Sequence, residues 1–182
     1  QLLDRVIVLV TVLVNKLETT HNAEDACRIA LRCADVADAH LRDPEGGLDI
    51  LLTAFSRFPT REALRDRISL LAEAADSWHP VADTLAVALA HAEGGNHIAY
   101  LGRWLARIRQ EKLQDATGAA DALEKVLAVD QVNTEVMALL DDLYRKLGQV
   151  DDLRRLLESR LAAAPDIERP LLLEDLALLA EK

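Results

Sequence analysis

His21, Cys27, Cys33 and His40 are the side chains of this sequence best suited by type to hold a soft divalent metal. Their spacing argues against it. Cys33 and His40 share a helical face at i and i+7, which separates them by about 10.5 Å along the axis, beyond the reach of one ion. Cys27 and Cys33 are i and i+6, about 240° apart around a helix, so they are not expected to bridge. Cys33 is expected to pack as a small hydrophobe. His91 and His97 flank Gly94 and Gly95, and that pair is expected to be a turn between helices rather than a catalytic loop. Asp141 and Asp142, like Asp151 and Asp152, are adjacent and project about 100° apart, which is wrong for a carboxylate dyad. No phosphate-cradling glycine motif, nucleophile elbow or His-Glu-x-x-His pattern occurs. The chain is therefore expected not to be an enzyme, with no catalytic, cofactor-binding or metal-binding residues.

A binding surface is the chemistry that remains. Tyr100, Arg103, Arg107 and Gln110 recur every three or four residues and so share one face of a helix. An aromatic ring beside two guanidinium forks suits an acidic or carboxylate-bearing peptide. The competing expectation is a solvated face whose arginines pair with neighbouring acids, including Asp66 and Asp142.

The elements that must carry these residues are helical. The chain has 182 residues, 51% hydrophobic but 3% aromatic, with 7 Gly and 5 Pro, too few turn-formers for many short strands. Its net charge of −10 opposes binding to nucleic acid or to an anionic membrane surface. Residues 97–132 are the exception, with five basic and five acidic side chains. Residues 6–14 form an apolar run, but spanning a bilayer takes about 20 such residues. Two cysteines without a disulfide framework make a reducing compartment, and a cytoplasmic location, the expectation.

Sliding the chain against itself by 72 residues places Leu41, Asp43, Gly46, Leu51 and Phe55 on Leu113, Asp115, Gly118, Leu123 and Leu127. The same offset carries Val6, Leu9, Leu13 and Leu17 onto Trp78, Val81, Leu85 and Leu89, and these onto Val150, Leu153, Leu157 and Leu161. Steps of three and four make this stripe helical, overriding the strand propensity of the valine-rich run. Halving the offset gives a unit of about 36 residues with two helices. Ten helices are predicted, near 2–18, 23–42, 46–57, 61–77, 80–92, 97–114, 117–129, 134–147, 149–163 and 168–181. Asn22, Thr60, Asn96 and Asn133 are the expected N-caps. The expected units run roughly 1–21, 22–59, 60–95, 96–132, 133–166 and 167–182, all within one domain.

These units resemble the tetratricopeptide repeat. Residues 133–166 carry the likeness best: Leu140, Tyr144 one turn on, Leu147 and Gly148 at the inter-helix turn, Leu157 and Leu161 on the second helix, and Pro165 at the end. Residues 96–130 look similar through Leu105, Ala106, Ala119, Leu123 and Leu127, while Asp141, Leu153, Arg160 and Gln131 depart from the family's preferences. The resemblance implies an all-α, right-handed alpha-solenoid of stacked antiparallel hairpins. The first helix of each pair would line a concave groove, putting Tyr100, Arg103, Arg107 and Gln110 inside it. It further implies a non-catalytic scaffold binding a peptide or protein partner. Leu31, Asp35, Asp66 and Leu70 replace the Lys, Asn and Arg with which some members grip chaperone C-termini, so that partner class is not expected. Alternatives are an accessory module of a larger enzyme or a self-associating array. Gln1 is not a natural start, and residues 6–14 and 171–179 leave both ends apolar. The natural chain is therefore expected to continue beyond one or both ends, or the ends to self-associate. Trp78 and Trp104 are expected to be packing anchors.

Overall fold

The computed structural model describes residues 2–180. Gln1, and residue 181 at the expected end of the last helix, lie outside the described residues. Among the described residues every long regular element is helical: α1 (Leu2–Thr19), α2 (Ala23–Val36), α3 (Pro44–Arg57), α4 (Glu62–Ala75), α5 (His79–Ala90), α6 (Gly95–Glu111), α7 (Ala116–Val129), α8 (Thr134–Leu147), α9 (Val150–Ala163) and α10 (Arg169–Ala180). The all-α expectation holds, and the predicted bounds stand within three residues except at the end of α2, predicted at 42 and found at Val36.

Side-chain caps set many of these bounds. Asn22 Oδ1 accepts from the amides of Glu24 (2.9 Å) and Asp25 (3.1 Å), and Asn133 Oδ1 accepts from Val136 (3.0 Å). Each relieves an amide that the first helical turn leaves without a partner. Thr60 and Asn96 do not cap. Arg61 and Gly94 occupy those N-cap positions without a side-chain bond. Gly94 takes a left-handed φ of 84°, which starts α6 early enough to put Asn96 inside it, whereas Thr60 sits one residue too early.

The 72-residue offset reappears as geometry. Asp43 Oδ1 accepts from Gly46 N and Asp115 Oδ1 from Gly118 N, both at 2.9 Å. The residue before each aspartate, Arg42 and Gln114, is left-handed at φ 56°. Before the first of these turns, residues Ala37–Leu41 widen into a π-helical turn in which the Arg42 amide donates to Ala37 O. The predicted helix over 23–42 is thus continuous but changes pitch.

The chain forms two compact units, residues 1–88 and 89–182. In the first, α1 packs on α2, α2 on α3, and α3 on α4; in the second, α6 to α10 pack in sequence order. The first core is built on Leu17, Leu48, Leu51, Phe55, Leu64 and Ile68, and the second on Leu101, Leu123, Val126, Leu140 and Leu157. Among the described residues no polar or charged side chain is buried. Trp78, Trp104 and Cys33 are buried, as expected. In α1, by contrast, Leu9 is 42% exposed although the stripe predicted it inward. The other three residues of the stripe do turn inward, Leu17 buried and Val6 and Leu13 half-buried with Val10 beside them, leaving Val8, Leu9 and Val12 on an open apolar face. Arg57 holds the other end of α1, donating from Nη1 to Leu17 O and from Nη2 to Thr20 O, both at 2.7 Å.

Candidate functional site

Helix α6 is amphipathic because Leu101, Gly102, Leu105 and Ile108 turn inward, and Gly102 brings it against α7. The outward face carries Arg103 and Arg107 exposed, with Tyr100 and Gln110 half-buried. The helix thus gathers the four predicted residues on one side. Tyr100 leans on Trp104, with ring centroids 6.1 Å apart and planes tilted by 51°.

Both guanidiniums have carboxylate partners. Arg103 Nη1 donates to Glu135 Oε2 at 2.7 Å, tying α6 to the first turn of α8. Arg107 Nε donates to Glu111 Oε2 at 3.2 Å, one turn along its own helix. Pairing of the arginines with neighbouring acids, Asp66 and Asp142 among them, was anticipated; the acids that serve are Glu135 and Glu111. Glu135 could be chosen over Asp142 only by knowing which turn of α8 lies beside α6. Sequence reasoning also missed Arg109, whose Nη1 donates to Gly118 O at 2.9 Å while Nε lies 3.8 Å from Asp115 Oδ2. That side chain braces the start of α7.

The first unit holds a second feature, a cleft of about 880 Å³ between α2 and residues 60–63. Leu31 and Asp35, which precede Arg103 and Arg107 by 72 residues, line it. Arg28, Arg32 and Arg61 also line it, with Cys27 beside them. Their i, i+4 spacing on α2 was the available signal for Arg28 and Arg32, but nothing local brings Arg61 to them.

Cys27 and Cys33 are free, buried thiols. Burial pushes both above the ordinary thiol range, the Arg61 charge opposing the shift at Cys27 and a backbone hydrogen bond opposing it at Cys33. Among the described residues no three His, Cys, Asp or Glu side chains gather where they could hold a metal ion. His21, His40 and His91 are exposed and His97 half-buried. In the second unit, Tyr144 Oη donates to Glu124 Oε1 at 2.7 Å, linking α8 to α7. Burial and that carboxylate push the phenol pKa up. Among the described residues no helix is long and apolar enough to cross a membrane. No protein-family model, curated protein or solved structure matches the chain.

Proposed function

We propose that the chain is a right-handed alpha-solenoid of tetratricopeptide-like units, a non-catalytic cytoplasmic scaffold that binds an acidic peptide or protein segment. The observation that carries the binding role is the outward face of α6, where Tyr100, Arg103, Arg107 and Gln110 lie together. The pairs with Glu135 and Glu111 do not bar a ligand. The side chains of these pairs are 42% to 69% exposed, and such surface ion pairs are worth about 0–1 kcal/mol each. A carboxylate offering two parallel hydrogen bonds to a guanidinium competes well with them. The repeated Asp-x-x-Gly caps support the repeat reading, since they give the same local turn 72 residues apart.

The test is capture of partners from native lysate by the wild-type chain and by Arg103→Glu with Arg107→Glu. Loss of capture with helicity and melting temperature nearly unchanged supports the face as the site. Unaltered capture removes it, and a folding collapse assigns the residues to structure.

A second reading, self-association, has its own observation: apolar side chains stay exposed on α1 (Val8 61%, Val12 57%) and on α10 (Leu171 67%, Leu178 55%). Light scattering across concentration tests it, and a strict monomer removes it.

A further inference from the structure

The cleft in the first unit differs from the α6 face in one respect that decides its chemistry. Arg32 and Arg61 line it, and neither forms an ion pair with any of the described residues. Of the four acids that line the cleft with them, Glu24, Asp25, Asp35 and Glu62, two are already engaged. Asp25 accepts from Arg28 Nη2 at 2.6 Å, and Asp35 lies 2.9 Å from Arg67 Nε, an arginine of α4 that also reaches Asp38. Glu24 and Glu62 stand in the first turns of α2 and α4, where the helix dipole favours a negative charge. Two guanidinium forks are therefore left to a ligand. Arg28 is a third, since its pair with Asp25 is largely solvent-exposed and exchanges at little cost.

The remaining lining selects among anions. A volume of about 880 Å³ is far more than a single inorganic anion fills and lies in the range of sites that enclose a drug-sized ligand or a few peptide residues. Leu31, Cys27 and Ala63 supply an apolar wall between the charged groups. An arginine fork pairs with a carboxylate through two parallel hydrogen bonds, and the apolar wall accepts a hydrocarbon side chain.

We propose that this cleft is a second binding site, taking a short peptide segment with acidic side chains on either side of an apolar one, its carboxylates on Arg32 and Arg61. The ligand class rests on the peptide-binding reading above, but the site does not depend on Arg103 or Arg107.

The experiment is a fluorescence-anisotropy titration of the whole chain with a labelled Asp-Glu-Leu-Glu-Asp peptide at low salt, and with a Lys-Lys-Leu-Lys-Lys control. Saturable binding of the acidic peptide alone is expected, weakened about tenfold or more by Arg32→Glu with Arg61→Glu. Arg169→Glu, a charge reversal of the same kind on α10, is expected to leave it unchanged. Occupancy is also expected to slow alkylation of Cys27, which lines the cleft. If the charge-reversed chain loses its helical signal, Arg32→Gln with Arg61→Gln takes its place, with the same direction of effect. Failure of wild type to bind the acidic peptide, binding that ignores both arginine variants, equal loss in Arg169→Glu, or unprotected Cys27 overturns the site. The Arg103→Glu with Arg107→Glu chain separates the two proposals. It is expected to keep peptide binding and Cys27 protection while losing lysate capture; retained capture removes only the α6 site, and lost peptide binding removes the cleft.

Discussion

Gly102→Ala sets two well-characterised effects against each other on one residue. Alanine in a helix interior is favoured over glycine by about 1 kcal/mol, so propensity alone predicts a more stable chain. The structure predicts the opposite. A Cβ at position 102 would lie 3.1 Å from the Ala122 carbonyl oxygen and far inside contact with Cγ2 of Val126. Val126 is fully buried, and a β-branched side chain on a helix is held in essentially one rotamer, so its methyl cannot turn away. The helices must part instead, and overpacking of this kind costs about 1–3 kcal/mol. The net expectation is a loss of about 1 kcal/mol, read as a lower urea midpoint at unchanged slope. Val126→Ala removes the obstructing methyls, so the double variant should be more stable than the sum of the single losses by about 1 kcal/mol. A Gly102→Ala chain more stable than wild type, with no coupling to position 126, would refute the close approach of α6 and α7.

Two further outcomes follow from caps and thiols. Gly118→Ala places a Cβ 2.5 Å from Arg109 Nη1 and against the capping carboxylate of Asp115, so the cap is expected to break at a cost of about 1 kcal/mol. Gly46→Ala meets only its Asp43 cap and should cost less; a raised urea midpoint in either variant would show that the aspartate steps aside freely. For Cys27 and Cys33, burial raises the folded-state pKa above that of the unfolded chain, so their contribution to stability is present at neutral pH and is lost as pH climbs through the folded value. The urea midpoint is expected to fall above pH of about 9, and to fall less in the double Cys→Ala chain. Identical pH profiles would remove the thiols from the account.

Helix ends could be read from the sequence wherever a single side chain or backbone conformation decides them. Asn133 and the left-handed Gly148 bracket α8, and its span is the one predicted. Thr60 and Asn96 failed for the same local reason, since each lies one or two residues from the position that caps. Close approach was harder to see. Leu105, Ala106 and Ala119 carry the family resemblance, but the close approach of α6 to α7 falls at Gly102, which matters only once Val126 is known to stand opposite. That Tyr100, Arg103, Arg107 and Gln110 share one side of α6 was legible because four residues at helical spacing need no tertiary information. The partners of Arg103 were not, because Glu135 lies 32 residues away and is placed by the packing of α8. Arg61 joins Arg28 and Arg32 through the packing of α3 and α4, which no spacing rule records.

An interior without a buried polar side chain, among the described residues, leaves shape as the means by which neighbouring helices recognise each other. The hydrogen bonds that join neighbouring helices, such as Tyr144 to Glu124, are only part-buried, and similar Leu and Ala stripes recur along the chain. Gly47 and Gly102 then act as notches in a key. A Cβ at Gly47 would press on both Ala34 O and Leu71 Cδ1 at 3.2 Å, so a side chain there would make its neighbours give by a few tenths of an ångström. Filling such a notch would do more than strain one contact, since it would erase a mark that tells one pair of helices apart from another.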